Sequence, residues 1–448
     1  MMCAEAICCI REQSFCPYDV SGAYLQGKQK TCERTVVRPP PGFRSYDERG
    51  VEELWWMNSP LYGQVDAAAI WYRTFQHVAT SKEIGLEVSD HDPSLFATQR
   101  PGQITNPLYV DDGKLIFDSD DTTSAAAAKI KEQLSQKFEM RFEEGMNPKE
   151  SFFLGANRTD LGRGSCKIHA KQYIDRMVAR FLPDGAPPSS KYPSSWGRTP
   201  ADETLEKAFQ AAMTTRPVPD KKLLKDYQSL FGALLHVTKW RPEVSAALGR
   251  CGSCLAICTP ELYECLVRIL VFLSRTPELG PTFNKYAHDA DKIVAYADSD
   301  WGVKRSTTGY CVFLGGAVVS SASRRQHCIT LSSTEAELMA LADLAIELLY
   351  VVNVCCFMGL EITAPITVHT DNKGAYDLCH RYTSAQHSRH IDRKVFKMRE
   401  LRGAGAVTVK YIPTDKNPAD IFTKVVGPQT FERHLKTIHN VPEVAGKI

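Results

Sequence analysis

Four acidic residues in the last third of the chain, Asp298, Glu337, Asp371 and Asp420, fall where strands are expected to end or helices to begin. Carboxylates on separate elements can converge on magnesium, which prefers hard oxygen ligands and keeps several waters. Two such ions can activate a water and stabilise a leaving oxygen, which is the chemistry of phosphodiester hydrolysis. A further acidic pair, Asp111-Asp112, precedes Gly113 between the apolar runs Leu108-Tyr109-Val110 and Lys114-Leu115-Ile116-Phe117. Two strand-like runs around a turn-forming centre predict a hairpin with adjacent carboxylates at its tip.

Each acid also has a plainer reading. Asp298 could be a strand-end turn residue, Asp371 with Asn372 a helix cap, and Asp420 a favourable charge near a helix N-terminus opening Asn417-Pro418. Glu337 could complete a capping box with Thr334, and Asp111-Asp112 could be a simple turn. Taken singly, the plainer reading is favoured for each; the combination shifts the balance.

The elements that would position the four acids are legible. Strands are expected over 293–297, 310–314 and 317–321, the last two joined by Gly315-Gly316, with a third strand proper near 328–330. A long helix from Glu335, a strand over 366–370, helices through Leu401, a strand over 407–412 and a last helix from Pro418 follow. Three strands, helix, strand, helix, strand, helix is the element order of the ribonuclease H fold. Glu335 and Glu337 lie about 200° apart on a helix, so they cannot share one site. Asp300 shares a strand face with Asp298 and is less easily dismissed. Upstream, Thr122 or Thr123 is expected to cap an alanine-rich helix to about Phe138, the proline-rich stretch 182–219 to form an extended linker or an irregular crossing, and 227–273 to form two helices broken at Arg241-Pro242.

Other signals are weaker. Cys251, Cys254, Cys258 and Cys265 lack two separated Cys-x-x-Cys knuckles, so they read as a buried stripe on one helix face rather than a zinc site. Arg389, Arg393, Lys394, Lys397, Arg399 and Arg402 form a basic cluster on an expected helix whose apolar stripe is Ile391, Val395 and Met398. A solvated face is the default for such charge, with contact to nucleic-acid phosphates the alternative. His390 lies beside it and is held only as a candidate.

With 448 residues the chain has room for two to four domains, and 43% hydrophobic with 24% charged residues excludes wholesale disorder. A net charge of +2 leaves any phosphate binding to local basic groups. Fifteen cysteines, an odd count in a long chain with no signal peptide at its start, predict reduced thiols. The apolar stretch 338–360 is interrupted by Asp343 and Glu347 and is expected to be too short for a bilayer. The start at Met1-Met2-Cys3, within twenty residues of the first motif, reads as a fragment boundary.

Several blocks resemble one family. Tyr296-Ala297-Asp298-Ser299-Asp300-Trp301 with Ser306-Thr307-Thr308-Gly309-Tyr310, Ser332-Ser333-Thr334-Glu335-Ala336-Glu337-Leu338, His369-Thr370-Asp371-Asn372, and Tyr411-Ile412-Pro413-Thr414 with Pro418-Ala419-Asp420-Ile421-Phe422-Thr423-Lys424 resemble the ribonuclease H blocks of copia-type (pseudoviral) LTR retrotransposons. Tyr109-Val110-Asp111-Asp112 resembles the Tyr-x-Asp-Asp signature of reverse transcriptases, and Asp19, within 18–27, resembles the first palm motif. Val37-Arg38-Pro39-Pro40-Pro41-Gly42-Phe43, Leu61-Tyr62-Gly63 with Trp71-Tyr72, Asp92-Pro93-Ser94-Leu95-Phe96 and Phe153-Leu154-Gly155 resemble palm segments in order. Tyr227-Gln228-Ser229-Leu230-Phe231-Gly232 and Arg241-Pro242-Glu243 resemble the family's linker, so the resemblance runs from about Pro17 to His434.

The resemblance implies an α+β reverse transcriptase palm with its fingers largely missing over 1–182. A proline-rich linker and mostly helical thumb or connection would follow over 183–288, and an α/β ribonuclease H-like domain with a five-stranded mixed sheet over 289–440. It implies two magnesium or manganese ions per active site, held by Asp19, Asp111 and Asp112 in one and by Asp298, Glu337, Asp371 and Asp420 in the other. Arg389, Arg393, Lys394 and Lys397 would contact nucleic acid. The implied partners are an RNA template, a DNA primer, an RNA–DNA hybrid, dNTPs and other products of the polyprotein, with no membrane. The implied location is the cytoplasm, in a virus-like particle, and the nucleus. Where the family carries a lysine-glutamine pair and an arginine, this chain reads Gln64-Val65-Asp66-Ala67-Ala68-Ala69, and with the fingers absent polymerase activity is expected to be impaired. The competing reading is a catalytically inactive transposon relic that binds nucleic acid. A host deaminase or nuclease is disfavoured because no zinc or nucleophile motif appears.

Overall fold

The computed structural model describes all residues except 30–34, 100–102, 144–148, 183–190, 303–304, 381–396 and 442–448. Contacts divide the chain into two units: Gln13–Pro148 with Phe357–Gly359, and Met1–Glu12, Lys149–Cys356 and Leu360–Ile448.

The first unit is a reverse transcriptase-like palm. Its elements are β1 (Ser14–Val20), α1 (Ala67–Ala79), β2 (Leu86–Val88), β3 (Leu95–Thr98), β4 (Thr105–Tyr109), β5 (Asp112–Phe117), α2 (Asp121–Lys137) and β6 (Met140–Phe142). The strands form one antiparallel sheet in the order β2-β3-β4-β5-β1-β6. Tyr18, Phe96, Leu115 and Phe117 from the strands pack with Trp71 and Phe75 of α1 and with Ile130 and Leu134 of α2. Phe138 closes this core, stacked on Phe75 at 5.7 Å between ring centroids and edge-on to Trp71 at 5.1 Å. The cap of α2 is Asp120, not a threonine: its carboxylate accepts from the Thr123 amide at 2.9 Å, which places both threonines inside the first turn.

The second unit opens with β7 (Glu150–Phe153), β8 (Ala156–Gly162), β9 (Ser165–His169) and α3 (Lys171–Phe181), then α4 (Glu203–Thr215), α5 (Lys221–Val237), α6 (Ser245–Gly252) and α7 (Pro260–Arg275), with β10 (Thr282–Asn284) completing the sheet β10-β9-β8-β7. The proline-rich stretch is less extended than its composition predicts. Asp202 caps α4, and Leu205, Phe209 and Ala212 recur at helical spacing and are buried, so tertiary packing overrides the local bias. Arg241-Pro242 does break the helices, into three rather than two, and the buried Arg241 guanidinium fills the break by donating to Glu243 at 2.6 Å and to Thr276 at 2.7 and 2.8 Å. The four cysteines are buried and free but not on one helix: Cys251 lies in α6, Cys254 and Cys258 in the connection, and Cys265 in α7.

The same unit ends in the ribonuclease H-like fold: β11 (Val294–Asp300), β12 (Thr307–Leu314), β13 (Ala317–Arg325), α8 (Ser333–Phe357), β14 (Ile366–Thr370), α9 (Lys373–His380), β15 (Val407–Tyr411) and α10 (Pro428–His439). The sheet order is β13-β12-β11-β14-β15, with the first three strands antiparallel and the last two parallel to β11. No strand forms at 328–330, because the third strand is β13 itself, returning from the turn at Gly315-Gly316. Pro418–Phe422 is a 3-10 turn, and the last helix starts ten residues later at Pro428. The apolar stretch belongs to the 25-residue α8, long and apolar enough to cross a membrane by length and composition, yet packed largely inside this fold. Its charged groups are accommodated there: Glu347 accepts from Ser320 at 2.6 Å and from Tyr310 at 3.3 Å.

Candidate active site

The central strand β11 runs past the expected end, so Asp298 sits within it, only 2% exposed, directly opposite Gly309 of β12. A side chain at 309 would meet Thr423 at 2.5 Å and Phe422 at 3.0 Å; glycine leaves the room in which Thr423 reaches Asp298 and donates its hydroxyl proton to it. Glu337 comes from the first turns of α8. Its Oε1 accepts from the Ser299 amide at 2.8 Å and hydroxyl at 3.1 Å, and its Oε2 from Thr370 at 3.4 Å. Glu335 points elsewhere and does the capping: the Glu335 amide donates to Ser332 at 3.1 Å, and the Glu335 carboxylate accepts from the Leu331 amide at 2.7 Å. Asp371 follows β14 directly.

These residues converge. Asp298, Glu337 and Asp371 each offer an oxygen within 4.8 Å of the others, which is the spacing of ligands around one cation. Asp420, 4% exposed, joins from the 3-10 turn through the lysine four residues on: Lys424 Nζ lies 3.1 Å from Asp420 and 3.7 Å from Asp298. Asn417, fully buried, ties the parts together, donating to the Ala297 carbonyl at 2.9 Å and to Asp371 at 3.3 Å while accepting from the Ala419 amide at 3.1 Å. Sequence reading took Asn417 only as the opening of a helix and assigned nothing to Thr423 or Lys424; a capping asparagine before proline was the available signal. Asp300 is drawn away instead, by Arg250 at 2.7 Å.

Crowded carboxylates resist ionisation. Burial, then Asp298 and Asp371, hold the Glu337 carboxyl well above its ordinary range against the Ser299 hydrogen bonds. Burial also raises Asp298, and burial with Asp298 pushes Asp420 up to about 7, Lys424 opposing in both cases. A donor set made of hard oxygens alone, whose charge one lysine only partly offsets, fits magnesium or manganese.

The palm carboxylates are arranged differently. Asp19 of β1 is opposite Asp112 of β5, and Asp111 occupies the two-residue turn with Val110 at φ 59°. Asp112 is therefore a strand residue rather than the turn centre. The Trp71 indole donates to the Val110 carbonyl at 2.6 Å and fixes the tip. Burial, then Asp111 and Asp19, raise Asp112 to about 6. Asp19 is exposed, and among the described residues these three do not form a ligand group as close as that around Asp298. A cavity of about 210 Å³ beside the tip is lined by Tyr24, Trp71, Tyr72, Tyr109 and Val110; Tyr24 belongs to the 18–27 block, which in the sequence gives it no role of its own.

Of the basic cluster, Arg389, Arg393, Lys394 and the neighbouring His390 lie outside the described residues. Lys397 pairs with Glu400 at 3.6 Å, while Arg399 and Arg402 donate to the Leu378 and His380 carbonyls at 2.7 and 3.5 Å. Those two arginines tie down the end of α9 rather than presenting a free charge.

Residues 4–188 match the family model described as reverse transcriptase (RNA-dependent DNA polymerase). The retrovirus-related Pol polyprotein from transposon RE1 of Arabidopsis thaliana is 28% identical over 94% of this chain, which spans 27% of that relative. The Pol polyprotein from transposon TNT 1-94 of Nicotiana tabacum is 28% identical over 92% of this chain, which spans 30% of it. A foamy viral protease-reverse transcriptase solved with double-stranded DNA superposes with a TM-score of 0.48 at 12% identity, over 90% of this chain and 57% of that one. Across these relatives, with the palm motifs in order, the chain is similar to the Pol polyproteins of copia-type retrotransposons, and it spans less than a third of their length.

Proposed function

We propose that this chain is an RNA-directed DNA polymerase with ribonuclease H activity, copying an RNA template from a DNA primer with dNTPs and degrading the RNA of the resulting hybrid. The observation that carries this reading is the convergence of Asp298, Glu337 and Asp371, with Asp420 alongside, from four separate elements. In the nuclease, these four residues would hold magnesium or manganese. The metal, when bound, would supply an activated water and a sink for charge on the leaving oxygen. The chain's own groups fix the ligands: Ser299 and Thr370 orient Glu337, Thr423 orients Asp298, and Asn417 orients Asp371. In the palm, Asp19, Asp111 and Asp112 would play the corresponding part toward the primer terminus and the incoming nucleotide, with the Tyr24-lined cavity beside them to receive sugar or base.

Cleavage of a labelled RNA–DNA hybrid with magnesium or manganese, beside primer extension on an RNA template, tests both halves. Asp298→Asn should abolish cleavage and leave extension intact. Full cleavage by that variant would remove the assignment.

A further inference from the structure

The four acids are not equivalent, and Lys424 marks the division. It stands one turn beyond Asp420, with its amide donating to the Asp420 carbonyl at 3.2 Å, which folds the side chain back over the carboxylate. Its ammonium bridges Asp420 at 3.1 Å and Asp298 at 3.7 Å. The side chain is 40% exposed whereas the two carboxylates are 5% and 3%, so the charge reaches in from solvent and can withdraw the same way. On the other side, Asp298, Glu337 and Asp371 approach one another within 4.8 Å, and of these three Lys424 pairs with Asp298. Asp298 is common to both halves. One half has the close oxygen cluster a divalent ion needs, and the other already has a positive charge between its two carboxylates.

We infer that Lys424 is a positioning residue that holds the place of a second cation, so that the protein without nucleic acid takes up one divalent ion at Asp298, Glu337 and Asp371 and admits another between Asp298 and Asp420 only when the ammonium leaves. This rests on the nuclease reading above. An ammonium carries half the charge of a divalent ion and is tethered to the chain one turn from Asp420, so it quiets the Asp298–Asp420 repulsion in the resting protein without completing the centre. A phosphate of bound nucleic acid offers the ammonium another partner and brings negative charge that favours a second metal.

Manganese binding to the full chain without nucleic acid, followed by calorimetry and by the loss of the free-ion paramagnetic resonance signal, reads this directly. The wild type should bind one ion. Lys424→Met, which keeps length and removes charge, should bind two, with the added site tightened by about tenfold or more through loss of a cation within 4 Å of both carboxylates. Lys424→Arg should stay at one, and Asp298→Asn should bind none. One ion of equal affinity in wild type and Lys424→Met, or two equivalent ions in the wild type, would overturn the role of Lys424 while leaving the metal centre standing. No ion bound by either protein would overturn the centre itself, and the role with it.

Discussion

The two sets of carboxylates solve one problem in opposite ways. The nuclease set is assembled from a strand, a helix, a strand end and a 3-10 turn, and Asp298, Glu337 and Asp420 are all under 5% exposed. The palm set comes from two neighbouring strands and the turn between β4 and β5, with Asp19 open to solvent. Convergence and burial fix the oxygens of the first set in advance, at the cost of opposing the ionisation of Asp298, Glu337 and Asp420. In the more open palm the cost falls on Asp112, raised to about 6, and the ligands are less gathered. Preorganisation and charge repulsion thus rise together, and the difference can be measured.

Asp298→Asn against Asp111→Asn should break the comparison most sharply. Each should reduce its own activity at least about a hundredfold and leave the other within a few-fold. Paired hybrid-cleavage and primer-extension assays check this; joint loss would mean that the two sites do not work independently. On the geometry described, cleavage by the wild type should also exceed extension, since only the nuclease ligands stand ready at cation spacing.

The framework behind each set gives the next effects. Glu243 is fully buried between Arg241 at 2.6 Å and His439 of α10 at 3.0 Å. Burial works against its charge, but Arg241 and His439 prevail and hold the carboxyl down at about 2. Glu243→Gln leaves a buried guanidinium without its counter-charge and should cost about 3 kcal/mol in a denaturant titration. In the palm, a side chain at Gly113 would lie 2.1 Å from the Tyr18 ring, so Gly113→Ala should destabilise by about 1–3 kcal/mol and impair extension before cleavage.

A pH series sharpens the electrostatic contrast. Asp420 keeps its proton to about 7 when folded and to only about 4 when unfolded, so its contribution to stability is complete below about pH 4 and is lost as pH rises to about 7. Glu243, held down, acts in the opposite sense but only below its ordinary 4.5, outside that window. His434, held down to about 4 by burial, acts in the opposite sense up to about pH 6.5, so the Asp420 share is read as the difference between wild type and Asp420→Asn, the wild type losing more melting temperature from pH 5 to 7.5. Asp420→Asn or added magnesium should flatten the slope; an unchanged slope in both cases would refute the crowding argument. Asp300→Asn should have the smallest effect. Its partner Arg250 and its own side chain are each about one-fifth exposed, so about 1 kcal/mol and a few-fold in cleavage are expected, against the loss at Asp298 two residues away.

Much of this was legible because it is local. Gly315-Gly316 with its flanking apolar runs announced β12 and β13, and the helical rotation between Glu335 and Glu337 announced that only one of them could lie beside Asp298. What escaped depends on partners far away in sequence. Nothing near Asp202 says that Leu205 and Phe209 will find α7, so α4 was lost in a proline-rich background. Asn417 and Gly309 matter through Asp371 and Thr423, contacts that no period of two or 3.6 residues encodes. The strand expected at 328–330 failed because β13 had already filled the third position.

The hydroxyl of Thr423 closes on Asp298 across 125 residues of chain, and this bears on the order of events during synthesis and folding. Contacts of such separation carry the entropy of closing a long loop and form after the local ones. The sheet β11-β12-β13 can assemble from near neighbours, yet Asp298 acquires Thr423 and Lys424, and Asp371 acquires Asn417, only once the residues around 417–424 have emerged and docked. A growing chain therefore carries these carboxylates without their partners until residues 417–424 have emerged and docked, well after the strands and helix that bear Asp298 and Glu337 have formed.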